Sequence, residues 1–480
     1  REESLILGSY GLFFECLPDN TEKASTIELA QQNKARLRFY EHYGAYPIIN
    51  TDYERPLEPG DLDMPHLMFD DLDAGKPLRR LVAKKVIRAI LERKYANLCP
   101  PEYVEAVVSS VKADPVELRA SRYVKTPVRE KPFSEEKVAL VVNENHEIHQ
   151  VRDRGYVEAP VRIKAILREL DPTPFFDRLP ARKFSDAAIT AVHSRELVSY
   201  LKRACAGIPP EKSIYPYVFP VRNAASPPKA LDLQAGYYCI DTFTPLNEKA
   251  WLAAREAVNC ALTAAEEIAR GRRFAYALVR PPGHHAESKV FGGFCYLNNN
   301  AIAAQWLSRY GRVAILDIDY HHGNGQQEIF YTRNDVLTVS IHGHPSYAYP
   351  YFSGHKIETG EGAGEGFNVN FPLHERCATE QFTSTLKKAL ERVAVFKPDF
   401  LVVALGLDTA RGDPTGSWSL GAQDFENNGR LIAGLRLPTV VIQEGGYRTR
   451  TLGTNVKRFF AGLVTGPKVV KGVAGPSQFQ

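Results

Sequence analysis

Short apolar runs alternate with longer amphipathic segments through the last two-thirds of the chain. The apolar runs occupy residues 138–142, 274–279, 312–316, 400–405 and 439–442. Segments with helical spacing of apolar residues lie between them, at 249–270, 298–310 and 380–396. Strand-like runs that alternate with helix-like segments are typical of a sheet whose strands are joined by crossover helices. The pattern therefore predicts an α/β fold with a mainly parallel central sheet.

The pattern is weaker before residue 138. A charged segment with two prolines at 125–136 indicates a linker, so we expect an N-terminal accessory region at 1–135 and a main domain at 136–480. Within the first region, an acidic stretch at 54–73 precedes an amphipathic helix at 78–95. Leu81 begins its apolar stripe, and basic residues cover much of the rest. A cover over a substrate channel and an oligomerisation element both remain open as roles.

Composition excludes several classes of protein. The 480 residues are 44% apolar and 24% charged, with a net charge of +4, which is too small to imply nucleic acid. No apolar run approaches the roughly 18 residues of a membrane span. Seven cysteines without a CxxC spacing argue against a disulfide framework. We therefore expect a cytoplasmic protein that binds neither nucleic acid nor membrane, and we expect a homo-oligomer, dimeric or larger.

Four of the apolar runs end in polar residues. Run 274–279 leads to His284 and His285, and run 312–316 leads to a cluster of polar residues. Run 400–405 is followed by Asp408, and run 439–442 leads through two glycines to Tyr447. Ligands in open α/β sheets bind beyond the carboxyl ends of parallel strands. The four endings are therefore predicted to meet at one edge of the sheet.

Asp319 and His321 are alternate residues, so their side chains can point toward the same atom. Carboxylate oxygen and imidazole nitrogen suit zinc or a similar divalent metal, and Asp408 is a candidate for a third ligand. Three protein ligands leave a position open for water and substrate, as catalytic metal sites do. Buried, salt-bridged strand ends are the alternative interpretation. The number of ionisable groups makes it the weaker one, because unpaired burial of charge is costly.

The remaining polar residues suit proton transfer. His284 and His285 follow a Pro-Pro-Gly loop, and histidine titrates near neutral pH. Each ring needs a partner on its second nitrogen, for which Asp317 and Asn324 are available. A neutral phenol at Tyr447 can donate a hydrogen bond to a developing oxyanion. This set of residues predicts a metal-dependent hydrolase.

Six motifs occur in order between residues 138 and 465: RPPGHHA, GGFCYLNNNAIAA, DIDYHHGNG, TVSIHG, LGLD and EGGY. In these motifs the chain resembles the arginase/deacetylase superfamily, in particular its histone deacetylase-like branch and the bacterial acetylpolyamine amidohydrolases. The resemblance implies a three-layer α/β fold with a mainly parallel sheet. It also implies zinc-dependent hydrolysis of an acylated, typically acetylated, amine.

The resemblance also implies roles for single residues. Asp319, His321 and Asp408 would hold one Zn²⁺, and Tyr447 would polarise the carbonyl group. His285 resembles the general base and pairs with Asn324, where many relatives have aspartate, and His284 pairs with Asp317. The remaining implied positions are the walls of a narrow channel (Gly293, Phe294, Tyr349), a structural potassium site (Asp317, Asp319, His321, Ser340, Ile341) and a second monovalent site (Phe330, Arg333, Val336).

The channel mouth departs from that pattern. Asp232 fits one acidic position of polyamine-handling relatives, but Phe243 stands where some of them have glutamate, with Asp241 nearby. Three interpretations stay open: an amidohydrolase of small acylated amines, a deacetylase of acetyl-lysine in proteins or peptides, and a non-catalytic acyl-amine binding protein. A binuclear manganese ureohydrolase would need further carboxylate and histidine ligands.

Overall fold

The computed structural model describes residues 11–20, 23–42, 44–58, 60–71, 77–123, 137–153, 155–221 and 228–466. The chain forms two compact units, Arg1–Pro132 and Phe133–Gln480. The predicted linker at 125–136 lies outside the described residues. In the described ranges, no helix has the length and apolar character needed to cross a membrane.

The first unit contains a three-stranded antiparallel sheet in the order β1-β3-β2. Its elements are β1 (Leu12–Cys16), α1 (Ile27–His42), β2 (Ala45–Pro47), β3 (His66–Asp70), α2 (Arg80–Arg93) and α3 (Pro101–Ser110). Helix α2 confirms the amphipathic helix expected at 78–95. Its buried stripe runs through Ala83, Ile87 and Leu91, which repeat every four residues. Leu81 was wrongly placed on the apolar stripe, since it falls on the opposite face and is 70% exposed.

The second unit is built on eight parallel strands. These are β4 (Val138–Val142), β5 (Phe176–Leu179), β8 (Phe274–Leu278), β9 (Val313–Asp317), β10 (Val336–Gly343), β11 (Asn368–Leu373), β12 (Phe400–Leu405) and β13 (Thr439–Gln443). A separate antiparallel pair is formed by β6 (Ser213–Ile214) and β7 (Leu246–Asn247). The helices are α4 (Val161–Leu170), α5 (Ala187–Thr190), α6 (Arg195–Gly207), α7 (Leu231–Tyr238), α8 (Ala250–Ala269), α9 (Asn299–Leu307), α10 (Asn324–Phe330), α11 (Thr379–Phe396), α12 (Ala422–Ala433) and α13 (Thr449–Thr465).

The strand side chains alternate between two apolar cores. In β4, Leu140 packs into a core with residues of α11, α12 and α13, such as Phe382 and Phe459. Its neighbour Val141 packs on the opposite face with α8, whose buried side chains are largely alanine. Successive strand residues point to opposite faces, so both faces of the sheet are covered by helices. The predicted three-layer α/β fold is confirmed.

The strand order brings the predicted strand ends together. The sheet runs β11-β10-β9-β12-β13-β8-β4-β5, and every pairing in it is parallel. After β11 the chain returns to the middle, where β12 and β13 lie between β9 and β8. Such a change in the direction of winding opens a crevice at the carboxyl ends of the strands. Strands β8, β9, β12 and β13 are adjacent there.

Candidate active site

Asp319, His321 and Asp408 form a tight cluster beyond the ends of β9 and β12. Their ligand atoms all lie within 4.8 Å of one another. Nδ1 of His321 is 3.3 Å from Asp319 Oδ1 and 3.0 Å from Asp408 Oδ2. Backbone amides hold the carboxylates in place, since Tyr320 N–H donates to Asp408 at 2.9 Å and Gly445 N–H donates to Asp319 at 2.8 Å. The cluster is thus fixed by two strands and by the loop after a third.

The cluster fits a small divalent cation. Asp319 and Asp408 are fully buried, and burial together with the negative charge of Asp319 raises the pKa of Asp408 to about 7. A cation would remove that repulsion and allow both carboxylates to ionise. Two glycines next to the carboxylates leave room that any larger residue would fill. A Cβ at Gly445 would lie 2.5 Å from Asp408 Oδ2, and one at Gly406 would lie 2.0 Å from Asp319 Oδ2. Two carboxylates and an imidazole are ligands that zinc accepts.

The two neighbouring histidines face this cluster from the loop after β8. Nδ1 of His284 is 2.9 Å from Asp317 Oδ2, and Nδ1 of His285 is 2.7 Å from Asn324 Oδ1. Glu444 fixes the loop, because it accepts hydrogen bonds from Gly283 N–H at 2.7 Å and His284 N–H at 3.1 Å. With each Nδ1 engaged, the Nε2 atoms are the ones available for chemistry.

The two rings have opposite charge preferences. Burial opposes the charged form of His284, but the Asp319 and Asp317 carboxylates outweigh it and raise the pKa of His284 to about 10. Burial and the positive charges of His284 and His321 hold the pKa of His285 well below its usual value. His285 is therefore neutral and able to accept a proton, while His284 is cationic.

Tyr447 lies on a turn held from two sides. Its backbone N–H and that of Arg448 donate to Asp413 Oδ2 at 2.6 and 3.0 Å, and Gly446 before it has a φ of 111°. The Arg162 guanidinium lies 4.7 Å from the centre of the Tyr447 ring and donates to the Gly446 carbonyl at 2.8 Å. Burial raises the pKa of the Tyr447 phenol well above its usual value. The phenol therefore stays protonated as a hydrogen-bond donor.

A buried ion network supports that turn. Glu158 accepts from Arg162 at 3.1 Å and, through both carboxylate oxygens, from Arg280 at 2.9 and 2.8 Å. All three side chains are at most 1% exposed. Glu158, Arg162 and Asp413 were not predicted from the sequence. No local signal marks the contact of Arg162 with the turn, because its backbone acceptors there, Gly446 and Glu444, lie 284 and 282 residues further along the chain. The position of Asp413, shortly after the LGLD motif, was a weak signal.

The predicted channel walls line the approach to the histidines. A Cβ at Gly293 would lie 2.2 Å from the His285 ring, and the ring of Tyr349 is 4.7 Å from that of His285. Asp241 accepts from Gly293 N–H at 2.6 Å and from the Tyr349 hydroxyl at 2.9 Å. Asp241 is buried and connects Gly293 to Tyr349 through these two hydrogen bonds. Phe294 lies between Tyr447 and Phe243, with ring centres 5.7 and 5.6 Å away.

A cavity of about 310 Å³ opens beside Phe294. It is lined by Asp153, Gly155, Tyr156, Val157, Tyr215, Thr242, Phe243 and Phe294. The cavity combines four aromatic rings with one carboxylate, that of Asp153. Asp153 was not predicted from the sequence. Asp232, which was expected at the channel mouth, is exposed on α7 and is not among the lining residues.

The residues implied as monovalent cation ligands fall in two places. Ser340 of β10 pairs with Asp317 of β9 in the sheet, and its hydroxyl is 2.8 Å from Nδ1 of His342. Ile341 follows it and is fully buried. The second set lies around the connection from α10 to β10, where Arg333 N–H donates to the Phe330 carbonyl at 2.9 Å and Val336 begins β10.

The fold and these side chains define a deacetylase-type hydrolase. Residues 156–463 match the histone deacetylase domain, and the chain belongs to this family of deacetylase and amidohydrolase enzymes. It is 40% identical over 313 residues to acetylpolyamine amidohydrolase 1 of Pseudomonas aeruginosa, a match that spans 64% of this chain and 90% of that protein.

Two further similar proteins are also named for acetylpolyamines. The chain is 36% identical over 351 residues to the acetylpolyamine amidohydrolase of Mycoplana ramosa, across 70% of this chain and 99% of that one. The crystal structure of an acetylpolyamine aminohydrolase from Burkholderia pseudomallei superposes with a TM-score of 0.65 at 38% identity. That match covers 68% of this chain and 99% of the crystallised one.

Proposed function

We propose that this chain hydrolyses the amide of a small acylated amine, such as an acetylpolyamine, to acetate and the free amine. The observation that carries the proposal is the tight cluster of Asp319, His321 and Asp408 facing a neutral and a cationic histidine. The names of the relatives described above support an acetylpolyamine as substrate. The protonated phenol of Tyr447 supports catalysis over mere binding, because binding alone needs no oxyanion donor.

Asp319, His321 and Asp408 would hold one zinc ion per chain. When bound, zinc acts as a Lewis acid that acidifies water and polarises a carbonyl oxygen. His285 is neutral and buried, so its Nε2 accepts the proton of the attacking water. The hydrogen bond from Nδ1 to Asn324 holds that ring in orientation during the transfer.

Tyr447 and His284 act on the carbonyl oxygen of the substrate. As water adds to the amide carbon, the Tyr447 hydroxyl donates a hydrogen bond to the carbonyl oxygen, which gains negative charge. His284, kept cationic by Asp317, stabilises that charge. The C–N bond then breaks, and one histidine of the pair gives a proton to the departing nitrogen. Acetate and the amine are the products.

The aromatic cavity supports a small cationic substrate. Phe294 contacts Tyr447 on one side and lines that cavity on the other, so an extended alkyl chain that runs along Phe294 would bring the far end of a diamine to the cavity. Ammonium groups are attracted to the faces of aromatic rings and to carboxylates. Tyr156, Phe243 and Phe294 supply rings, and Asp153 supplies the negative charge.

Metal dependence is the first prediction. Chelation should abolish acetate release from an acetylated diamine, and added zinc should restore it. Asp408→Asn should lose bound zinc, measured by mass spectrometry of the metal, together with activity. An acetyl-lysine peptide assayed in parallel separates the two enzymatic interpretations. An Asp408→Asn variant that retained full activity without metal would contradict the proposal.

The second prediction concerns the far end of the substrate. Asp153→Asn should raise KM for an acetylated diamine by about three- to fivefold, because losing one solvent-exposed charge pair costs about 1 kcal/mol at most. KM for an acetylated alkylamine of the same length, which lacks the second ammonium, should not change. Asp232→Asn is the matched control, since that carboxylate lies outside the cavity. If Asp232→Asn has the effect instead, the distal amine binds elsewhere.

Other assignments also remain proposals. A structural potassium ion at Asp317, Asp319, His321, Ser340 and Ile341, and a second ion at Phe330, Arg333 and Val336, are supported by the resemblance of these residues. Cytoplasmic location is supported by seven free thiols. The role of residues 1–135 as an accessory region and assembly into a homo-oligomer rest on the sequence analysis.

A further inference from the structure

Glu287 lies two residues after His285 and takes no part in the steps proposed above. Its Oε1 accepts a hydrogen bond from Asn324 Nδ2 at 2.8 Å. At the other end of the same amide, Asn324 Oδ1 accepts from Nδ1 of His285 at 2.7 Å. Glu287, Asn324 and His285 therefore form one chain of hydrogen bonds that ends at the base.

The carboxylate decides which way the amide points. An ionised carboxylate can only accept hydrogen bonds, whereas an amide has one accepting and one donating end. Asn324 must turn Nδ2 toward Glu287, and Oδ1 then faces the imidazole. The His285 backbone carbonyl, 3.2 Å from Nδ2, favours the same direction but is the longer contact. Since Oδ1 can only accept, the proton of His285 must be on Nδ1.

We infer that Glu287 is a positioning residue, which fixes the direction of the Asn324 amide and, through it, the tautomer that leaves Nε2 of His285 free as a base. The inference rests on the proposed function, because it assigns a role to the base of that reaction. An amide alone would not select a tautomer, since a flipped amide would donate to Nδ1 and place the proton on Nε2.

The surroundings leave the Glu287 carboxylate available for this role. The other carboxylate close by, Glu328, is engaged with Ser288 through the backbone N–H at 2.8 Å and the hydroxyl at 2.7 Å. His193 interacts with the Glu287 backbone carbonyl at 2.9 Å, which holds the main chain and not the side chain. Burial raises the pKa of Glu287 to about 7, so the carboxylate is ionised at about pH 8.5.

A pair of substitutions tests the inference at that pH. Asn324→Asp places two carboxylates in contact, so one must bind a proton or turn away, and kcat should fall at least about tenfold. Adding Glu287→Gln supplies an amide N–H to the new carboxylate, which again accepts from Nδ1 of His285. The double variant should return to within about threefold of the original kcat. Glu287→Gln alone should lower kcat by about tenfold with KM unchanged.

Glu328→Gln is the matched control, because it removes a neighbouring carboxylate that does not touch Asn324. Its kcat should not change. Melting temperatures of all variants separate loss of fold from loss of function. Losses that multiply in the double variant, without rescue, would overturn the inference, as would an unchanged kcat in Glu287→Gln.

A spectroscopic measurement needs no turnover. ¹⁵N NMR of the full-length, histidine-labelled protein as purified reports the tautomer of each ring, and the His285 signal is identified by its absence in His285→Gln. We expect the Nδ1–H form in the original protein and a mixture of both forms in Glu287→Gln. The same pure tautomer in both proteins would refute the role of Glu287. Because this result does not depend on hydrolysis, it distinguishes failure of the inference from failure of the proposed function.

Discussion

Two adjacent histidines acquire different charges from the groups around each ring. His284 has the carboxylates of Asp317 and Asp319 nearby, so it is cationic. His285 is buried, with the Asn324 amide on its Nδ1 and the cationic His284 ring beside it, so it is neutral. A cation bound between Asp319 and Asp408 would weaken the support that Asp319 gives to His284, but it would leave the Asp317 contact in place. The two histidines therefore differ in role because a carboxylate, Asp317, faces Nδ1 of His284, whereas an amide, Asn324, faces Nδ1 of His285.

The hydroxyl of Tyr447 is another single group whose role can be tested. Tyr447→Phe removes only the hydroxyl, and we expect kcat to fall by about a hundredfold or more, as for other oxyanion donors. KM should change little, because the hydrogen bond strengthens as charge develops in the transition state. Steady-state kinetics with an acetylated diamine measures both constants.

Tyr351→Phe provides the control, because Tyr351 is 62% exposed. It should match the original enzyme in both constants. A loss confined to KM in Tyr447→Phe would assign that tyrosine to substrate binding and not to the chemical step.

Single residues differ in how far the sequence predicts them. Asp319, His321 and Asp408 stand immediately after apolar runs, so strand ends could be found and their side chains expected at one edge of the sheet. Glu287 and Arg162 carry no such mark. Their roles arise from contacts through a third residue or across the whole domain, such as that of Arg162 with the Gly446 carbonyl. A periodicity analysis cannot detect such contacts.

At the scale of elements, glycines occupy the loops after the strands where the backbone approaches the proposed metal ligands. The loop after β13 passes so close to the cluster that a Cβ at Gly445 would lie 2.5 Å from Asp408 Oδ2 and 2.6 Å from Asp319 Oδ2. Real Cβ atoms do not approach so closely, so the loop or the ligands would have to move. The sequence predicted this loop and its position, but not the close contact, because that distance depends on the packing of β12 against β13.

Gly445→Ala tests the consequence. We expect zinc affinity to fall by about tenfold or more, as with other changes to groups that orient metal ligands. Competition with a chromogenic chelator measures that affinity.

The matched control is Gly207→Ala at the end of α6. There the nearest atom to a new Cβ is 3.7 Å away, an ordinary van der Waals contact. This variant should bind zinc as the original protein does. Equal affinity in Gly445→Ala would show that the loop adapts without disturbing the ligands.

At the scale of the molecule, each of the two units has its own core and its own buried charges. In the first unit, His66 contacts Glu54 through Nδ1 and lies 3.7 Å from Asp19 through Nε2. Burial opposes the charged form of His66, but these carboxylates outweigh it and raise the pKa of His66. Arg119, which pairs with Asp19 at 3.3 Å, acts in the opposite direction.

This network makes the stability of the first unit depend on pH. A histidine whose folded-state pKa is raised contributes its full stability below its unfolded pKa of about 6.5, and the contribution disappears as pH rises through the folded pKa. His66→Gln should therefore destabilise the protein more at about pH 6 than at about pH 9. Urea unfolding of the full chain, followed by far-UV circular dichroism, measures the difference.

Tryptophan fluorescence serves as the internal control, since Trp251, Trp306 and Trp418 all lie in the second unit. The fluorescence transition should stay the same in the variant. An equal loss of stability at both pH values would show that the charged form of His66 contributes nothing.

The proposed metal site joins strands that are distant in sequence. His321 and Asp408 meet across 87 residues, and β10, β11 and their connections lie between β9 and β12 in the chain, although β9 and β12 are neighbours in the sheet. While the chain is being synthesised, it therefore lacks a complete set of ligands until β12 and Asp408 have emerged from the ribosome. Closing so long a loop is entropically unfavourable until strand pairing compensates. Under the function proposed above, zinc should thus be acquired late in folding, by a nearly finished domain. The supply of zinc to a cell should then limit the yield of active enzyme more than the yield of folded chains.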